Sequence, residues 1–379
     1  MIRKAVIPSA GFGTRMLPAA KAVPKELLPV LDRPTIQYVV EEAAEAGVDD
    51  VLLVTSREKW AVEDHFDRSP ELEQRLAAAG KEGLLASVNA LAADVQVHSV
   101  RQATQRGLGD AVNQARRHVG DEPFLCLLGD TIFSRPARGP GAAPALQRPE
   151  DLKGQPIGQV LVAMGRLTRD EVAQALERQK KSGGKLGDVL VQLGSVTRED
   201  VDAALAAQRG QPFAAPGPGS FAAAALPARQ LVEAYREFKT AIIGLEEVPA
   251  EKVSRYGVVG GAAVREGVVR IDTLVEKPTP QEAPSRLAIA ARYVLTPAVF
   301  DCIDATPPGK GGEVQLTDAL RLLLRREPVH GVVLDATRHD IGNPVDWLKT
   351  NLVFASREAQ TWAALRPLVE SLARGGDAL

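Results

Sequence analysis

Two glycines and two cations lie close together near the start of the chain, in Gly11-Phe12-Gly13-Thr14-Arg15 and Pro24-Lys25-Glu26. Glycines let backbone N–H groups come close to an anion. Arg15 and Lys25 add fixed positive charge where pyrophosphate would sit. Further along, Asp130 in Leu128-Gly129-Asp130 is a hard oxygen ligand. Magnesium takes one or two such carboxylates together with phosphate oxygens; the same aspartate would equally cap a following helix. Glu276-Lys277-Pro278 supplies another acid and cation, with proline disfavouring a helical Lys277. Alone, that pair reads equally well as an exposed salt bridge of small energetic weight. The glycine loop and its two cations are of the types needed to grip the triphosphate of a nucleotide.

Such residues need elements to hold them. Ala5-Val6-Ile7-Pro8 reads as a strand leading into the glycine turn, and strand, glycine loop and helix is a common phosphate site in α/β folds. The turn fits neither a dinucleotide fingerprint, which needs glycine where Met16 stands, nor a P-loop, which closes in Gly-Lys-Ser/Thr. By itself it is also an ordinary strand-to-helix turn. Strand-like Val51 to Thr55, Val95 to Val100 and Phe124 to Leu128 alternate with helix-like runs such as Ile36 to Ala46. That alternation predicts a mostly parallel sheet covered by helices, with the chemistry at the carboxyl ends of its strands. From Gln230 the pattern resumes. Helices are expected over 231–238 and 317–325, and strands over 241–245, 256–259, 273–277 and 329–334.

The 379 residues are enough for two or three domains, and 45% hydrophobic content permits a sizeable core. A formal charge of −2 gives no reason to expect a nucleic-acid or membrane partner. No run is apolar enough for a signal segment or a bilayer span, so the chain is expected in the cytoplasm. Cys126 and Cys302 suggest neither a disulfide framework nor a zinc cluster.

Between the two halves lies different material. Residues 135–155 and 209–226 are rich in Pro, Gly and Ala and read as linkers. Residues 156–208 hold an internal repeat: Pro156-Ile-Gly158-Gln-Val-Leu-Val-Ala-Met-Gly165 matches Lys185-Leu186-Gly187-Asp-Val-Leu-Val-Gln-Leu-Gly194. Val172 and Leu176 match Val201 and Leu205, and Gln179 matches Gln208. Each copy reads as two short helices, the second opening on Thr168 or Thr197 with Glu171 or Asp200 three positions on. Neither copy can bury a core alone, so the two are expected to pack together.

The segment from Gly11 to Pro29, followed in order by Asp130 and Glu276-Lys277-Pro278, resembles the signature of sugar-nucleotide pyrophosphorylases, in particular the bacterial UTP–glucose-1-phosphate uridylyltransferases. The resemblance covers residues 1–134 and resumes from about Leu226 to Phe354; the second part of the domain is read as 227–379, closed by C-terminal helices. The resemblance implies an α/β, Rossmann-like nucleotide-diphospho-sugar transferase fold with a mostly parallel sheet, interrupted by a small all-α inserted domain. It also implies UTP and glucose 1-phosphate as substrates, Mg2+ as cofactor, and a homo-oligomer. Arg15, Lys25, Asp130 and Lys277 match the catalytic positions. Ala10, Gly11, Gly13, Thr14, Glu26, Gln102 and Gly109 match nucleotide-binding positions, and Gly257 and Glu276 match sugar-binding ones. Asp340 is a candidate second metal ligand, although an Asp shortly before Gly342 also reads as a turn former. The family more often has histidine where Asp110 stands. The Leu128 to Phe133 context leans toward the related glucose-1-phosphate thymidylyltransferases, while Glu313 to Asp318 and Pro24-Lys25-Glu26 lean back to the uridylyl enzymes; a transferase for another hexose 1-phosphate is the further alternative.

The repeat resembles the cyclic-di-GMP-binding N-terminal domain of secretion and pilus-assembly ATPases, the MshEN family. That implies Gly158, Gln179, Lys185, Leu186, Gly187 and Gln208 as ligand positions, with Pro156 and Lys185 standing where the family motif opens on arginine. The insert therefore reads as a cyclic-di-GMP regulator, an interaction module or a spacer. A reading from another class makes the whole chain a non-catalytic second-messenger receptor on a transferase scaffold.

Overall fold

The computed structural model describes residues 2–93, 95–134, 153–163, 167, 169–193, 195–196, 198–209 and 225–374. The chain divides into two compact units: Met1–Arg135 with Ala223–Arg357, and Pro136–Ala222 with Glu358–Leu379.

The strands of the first unit are β1 (Lys4–Pro8), β2 (Pro29–Val30), β3 (Arg33–Pro34), β4 (Asp50–Thr55), β5 (Gln96–Arg101), β6 (Phe124–Leu127), β7 (Thr131–Ser134), β8 (Ala241–Glu247), β9 (Gly257–Arg265), β10 (Val268–Glu276), β11 (Leu287–Leu295), β12 (Val329–Val333) and β13 (Thr337–Asp340). A nine-stranded sheet runs β5-β4-β1-β6-β11-β8-β12-β10-β9. β5, β4, β1 and β6 are parallel, as are β8 and β12. β11 and β10 run against both of their neighbours in that order. The sheet is thus mostly parallel in strand direction, as expected, with two antiparallel members.

The reason lies in the side chains. Ala5, Val6 and Ile7 of β1 and all of β6 are buried, the continuous apolar pattern of strands covered on both faces. The helix Thr35–Glu45 buries Ile36, Val39, Val40 and Ala43, and packs on the helix Ala225–Phe238. Each such aliphatic side chain contributes roughly 1.5–3 kcal/mol on full burial. The expected strands and helices are present, but the helix expected over 231–238 starts at Ala225, the strands expected over 256–259 and 273–277 run over Gly257–Arg265 and Val268–Glu276, and the glycine turn leads into short 3-10 turns rather than a helix. β11 was not expected: alanine dilutes Leu287–Leu295, and Arg292 interrupts its apolar run.

In the second unit the described helices include Ile157–Ala163, Arg169–Ser182, Leu186–Gln192 and Arg198–Gln208. They exchange partners between copies. The first helix of copy one packs on the second helix of copy two, and the first helix of copy two on the second of copy one. Val160, Leu161, Ala175, Val189, Leu190, Val201 and Ala204 form one apolar cluster drawn from both copies. Of the expected linkers 135–155 and 209–226, residues 135–152 and 210–224 lie outside the described residues, as do Thr168 and Thr197 of the expected helix starts, while Ala225 and Leu226 already belong to the helix Ala225–Phe238. Ala359–Ala373 is helical and belongs with the second unit, whereas the sequence reading had joined it to the transferase half.

Candidate active site

Because β1, β4, β5 and β6 are parallel, their carboxyl ends share one edge. From that edge come Ala10 and Gly11 after β1, Lys59 after β4, Gln102 after β5 and Asp130 after β6. Gly13 has φ +65 and leads into a tight turn, Thr14–Met16. Met16 is buried and anchors the turn, which leaves Arg15 exposed. A Cβ on Gly13 would lie 3.3 Å from the Lys25 side chain, so glycine here lets Lys25 cross the loop closely.

Lys25 forms an ion pair with Asp130. Asp130 is joined to Asp340 through the small β7–β13 sheet, in which Thr131 stands opposite Asp340 and Ile341 N–H donates to the Asp130 carbonyl at 2.9 Å. Gly342 N–H donates to Asp340 Oδ1 at 2.7 Å. A Cβ on Gly342 would meet the Arg15 guanidinium at 2.8 Å, so that cation lies against the same turn. Burial alone would raise the Asp130 carboxyl, but Lys25, with help from Arg15, holds it below the usual carboxylate range. Burial and the Asp130 charge push Asp340 up instead. Asp130 also contributes, with Glu26, to holding the Lys25 ammonium above its ordinary value despite burial. The structure therefore brings Arg15, Lys25, Asp130 and Asp340 into one cluster.

Glu26 stands apart from that cluster's open side. It is 1% exposed, and both carboxylate oxygens accept from Lys59 Nζ, at 2.8 and 2.7 Å. The same ammonium donates to the Ser9 carbonyl. Burial pushes Glu26 up and Lys59 down. Expected at the nucleotide, the Glu26 carboxylate instead ties the Lys25 turn to the start of the glycine loop through Lys59. Gly129 likewise has a packing reason: a Cβ there would lie 2.5 Å from Ser9 Oγ and 3.1 Å from Ile36 Cδ1.

At the end of β5, Gln102 is buried and its Nε2 donates to Asp110 Oδ2 at 2.6 Å. Asp110 also accepts from Arg106 at 2.8 Å. An ionised carboxylate only accepts, so the amide nitrogen faces Asp110 and Oε1 remains as an acceptor. Asp110, where the family more often has histidine, thus fixes the orientation of Gln102. Gly109 N–H is committed to the Val314 carbonyl at 2.8 Å, and a Cβ at Gly109 would lie 2.9 Å from that oxygen. Gly109 is required for this close approach, and its N–H is not free to donate to a base. The Ala10 carbonyl accepts from Gln105 Nε2 at 3.0 Å, and Thr14 is exposed.

The second acid–cation pair lies where β9 and β10 meet. Gly257 pairs with Glu276 in register, and a Cβ on Gly257 would lie 3.2 Å from Glu276 Oε2. That oxygen accepts from Thr317 Oγ1 at 2.9 Å, while Oε1 is 3.2 Å from Lys277 Nζ. Lys277 avoids helix, as Pro278 requires, but takes the left-handed region with φ +47. For a residue other than glycine that costs on the order of 1–3 kcal/mol. Its N–H donates to the Tyr256 carbonyl at 3.0 Å, and its side chain is 61% exposed, available to an incoming anion.

Behind Asp130, Arg292 and Glu42 form a fully buried pair, with Nε to Oε1 2.9 Å and Nη2 to Oε2 2.6 Å. Arg292 also donates to the Thr131 carbonyl at 2.8 Å, and Glu42 accepts from Ala228 N–H at 3.1 Å. The sequence reading missed Lys59, Thr317 and Arg292. Only Arg292 left a signal, a lone charge inside an apolar run, which needs a partner when buried.

In the second unit the repeat residues serve packing. A Cβ on Gly158 would lie 2.8 Å from Val172 Cγ1, and one on Gly187 the same distance from Val201 Cγ1. Gln179 Nε2 donates to the Gly184 carbonyl at 2.8 Å and Gln208 Nε2 to the Gln155 carbonyl at 2.7 Å. Each glutamine closes the turn that opens the other copy. Leu186 packs on the shared apolar cluster, and Lys185 is exposed.

A sequence profile described as "Nucleotidyl transferase" matches residues 4–164 and 224–357. A UTP–glucose-1-phosphate uridylyltransferase of Bacillus subtilis is 34% identical over 98% of this chain and 97% of its own length. A second from that organism, YngB, is 35% identical over 92% and 88%. The UTP-bound UGPase of Acinetobacter baumannii superposes with a TM-score of 0.70 at 29% identity, covering 98% of this chain and all of that one. A UDP-glucose pyrophosphorylase in complex with UDP-glucose gives 0.64 at 29% identity, over 93% and 98%. With the fold, the phosphate-edge cluster and these likenesses in agreement, the chain belongs to the UTP–glucose-1-phosphate uridylyltransferase family of nucleotidyl transferases.

Proposed function

We propose that the protein transfers a uridylyl group from UTP to glucose 1-phosphate, releasing pyrophosphate. The observation that carries this reading is the convergence of Arg15 and Lys25 on Asp130 and Asp340. The names of the relatives support the choice of substrates.

A phosphate oxygen of glucose 1-phosphate attacks the α-phosphorus of UTP. The bond from that phosphorus to the bridging oxygen breaks, and pyrophosphate leaves with the electron pair. The attacking oxygen is already anionic, so the protein's task is to align two polyanions and offset their repulsion. Arg15 and Lys25 hold the departing pyrophosphate, and Lys277 holds the sugar phosphate. Gln102 presents its amide oxygen to the base, oriented by Asp110. Glu276, oriented by Thr317, accepts from sugar hydroxyls.

Magnesium fits the donor set. Two carboxylates are brought together by the β7–β13 pairing, and the charge on one raises the other, a repulsion that a divalent cation relieves. Asp130 and Asp340 would hold the ion, which supplies charge neutralisation between phosphates when bound. Asp130→Asn is expected to lower turnover at least about a hundredfold, the scale of losing a transition-state charge contact. Near-normal pyrophosphate release by the purified variant at ordinary magnesium would remove this assignment.

For the insert, regulation by cyclic di-GMP rests on the repeat. The glycines and glutamines of the motif also have packing and turn-closing roles of their own.

A further inference from the structure

Arg338 belongs to none of the groups assigned above, yet it touches both sides of the site. On β13 it lies two residues from Asp340, so the two side chains share a face. Its guanidinium sits 4.2 Å from the Tyr256 ring centroid. One guanidinium nitrogen lies against Glu246 Oε1, off the direction of a linear hydrogen bond, so the pair is a charge contact. Only 10% of the Arg338 side chain is exposed. Tyr256 in turn precedes Gly257, the partner of Glu276, and its carbonyl accepts the N–H that holds Lys277 in its left-handed conformation.

We propose that Arg338 is the positioning residue that sets the sugar-phosphate side of the site, Tyr256 to Lys277, against the carboxylate side at Asp340. This inference rests on the sugar-phosphate role given to Lys277 above. The link runs from Asp340 along β13 to Arg338, through the stacked Tyr256 ring, and from the Tyr256 carbonyl to Lys277. Arginine suits it because a planar, weakly hydrated cation can lie on an aromatic face and beside a carboxylate at once; lysine is a point charge on a flexible stem. Glu246, whose carboxyl burial pushes up against the opposing pull of Arg338, keeps the guanidinium from leaving the ring. Each contact is to the protein, so the effect on the reaction passes through Tyr256 and Lys277.

The test measures pyrophosphate release by the full chain, varying each substrate at saturation of the other. R338K is expected to raise KM for glucose 1-phosphate by about tenfold, because the lysine ammonium keeps the charge but cannot lie flat on the Tyr256 ring and beside Glu246 at once, with KM for UTP changed less than about twofold. Y256A should reproduce that split, and Y256F, which keeps the ring, should not. Unchanged thermal unfolding and UTP KM in each variant report an intact fold. A wild-type sugar-phosphate KM in folded R338K, or an equal rise in both KM values, overturns the proposal. If the wild type instead turns over dTTP or another hexose 1-phosphate, the substrate reading fails while the same one-sided split decides the role of Arg338. A wild type with neither turnover nor calorimetric binding of glucose 1-phosphate overturns both.

Discussion

At the scale of single residues, the site depends on charges held by other charges. Lys25 needs Asp130, and Glu26 needs Lys59. The second pair is the more buried, with Lys59 5% and Glu26 1% exposed. Removing one partner of such a pair leaves an uncompensated charge and costs about 3–5 kcal/mol. Lys59→Met is therefore expected to lower unfolding free energy by about that amount in denaturant titration. Since Lys59 also binds the Ser9 carbonyl at the start of the glycine loop, the folded fraction should show a raised KM for UTP. An unchanged denaturation midpoint would mean that the two loops are held by something else. Arg15, Lys25 and Asp130 stood out in the sequence through the order of the family motifs rather than through spacing alone, and the structure brings the three side chains together. Lys59 did not stand out: its place in Arg57-Glu-Lys59 looks like any solvated turn, and its burial is decided only when Glu26 folds over it.

At the scale of elements, the parallel half was readable because β1, β4 and β6 are largely apolar runs and the polar β5 still alternates with valine at Val97 and Val100. The antiparallel half was less so. β11 carries a charge in its middle, and that charge is the junction of the fold: Arg292 meets Glu42 of the helix Thr35–Glu45, the Thr131 carbonyl of β7 and the Leu128 carbonyl before Asp130. No local pattern encodes such a pairing, since its members are far apart in sequence. Arg292→Met is expected to destabilise the protein by about 3–5 kcal/mol, and adding Glu42→Leu to recover part of that loss, because the lone carboxylate is then gone. A double variant as unstable as the sum of the singles would contradict the pairing. The glycines at 109 and 129 teach the same lesson. Gly109 matches a nucleotide-binding position in the sequence, yet a Cβ there would meet the Val314 carbonyl, and one at Gly129 would meet Ser9 and Ile36.

At the scale of the whole molecule, a transferase fold with its motifs in family order carries a doubled helical repeat between its halves. The sequence revealed the repeat by self-similarity, but it left open that the copies exchange helix partners and that Gln179 and Gln208 close each other's turns. If the insert answers to cyclic di-GMP, calorimetric titration of the full chain will give saturable heat, and pyrophosphate release will change with the same midpoint. Absence of heat at high micromolar ligand would remove that regulation and leave the repeat as a packing module. The central claim is tested most directly by pyrophosphate release from glucose 1-phosphate with UTP and, separately, with dTTP in the presence of magnesium. The account predicts turnover with UTP that exceeds turnover with dTTP by at least about tenfold, the scale of 1.4 kcal/mol in discrimination. No release with UTP, or a preference for dTTP, would contradict it.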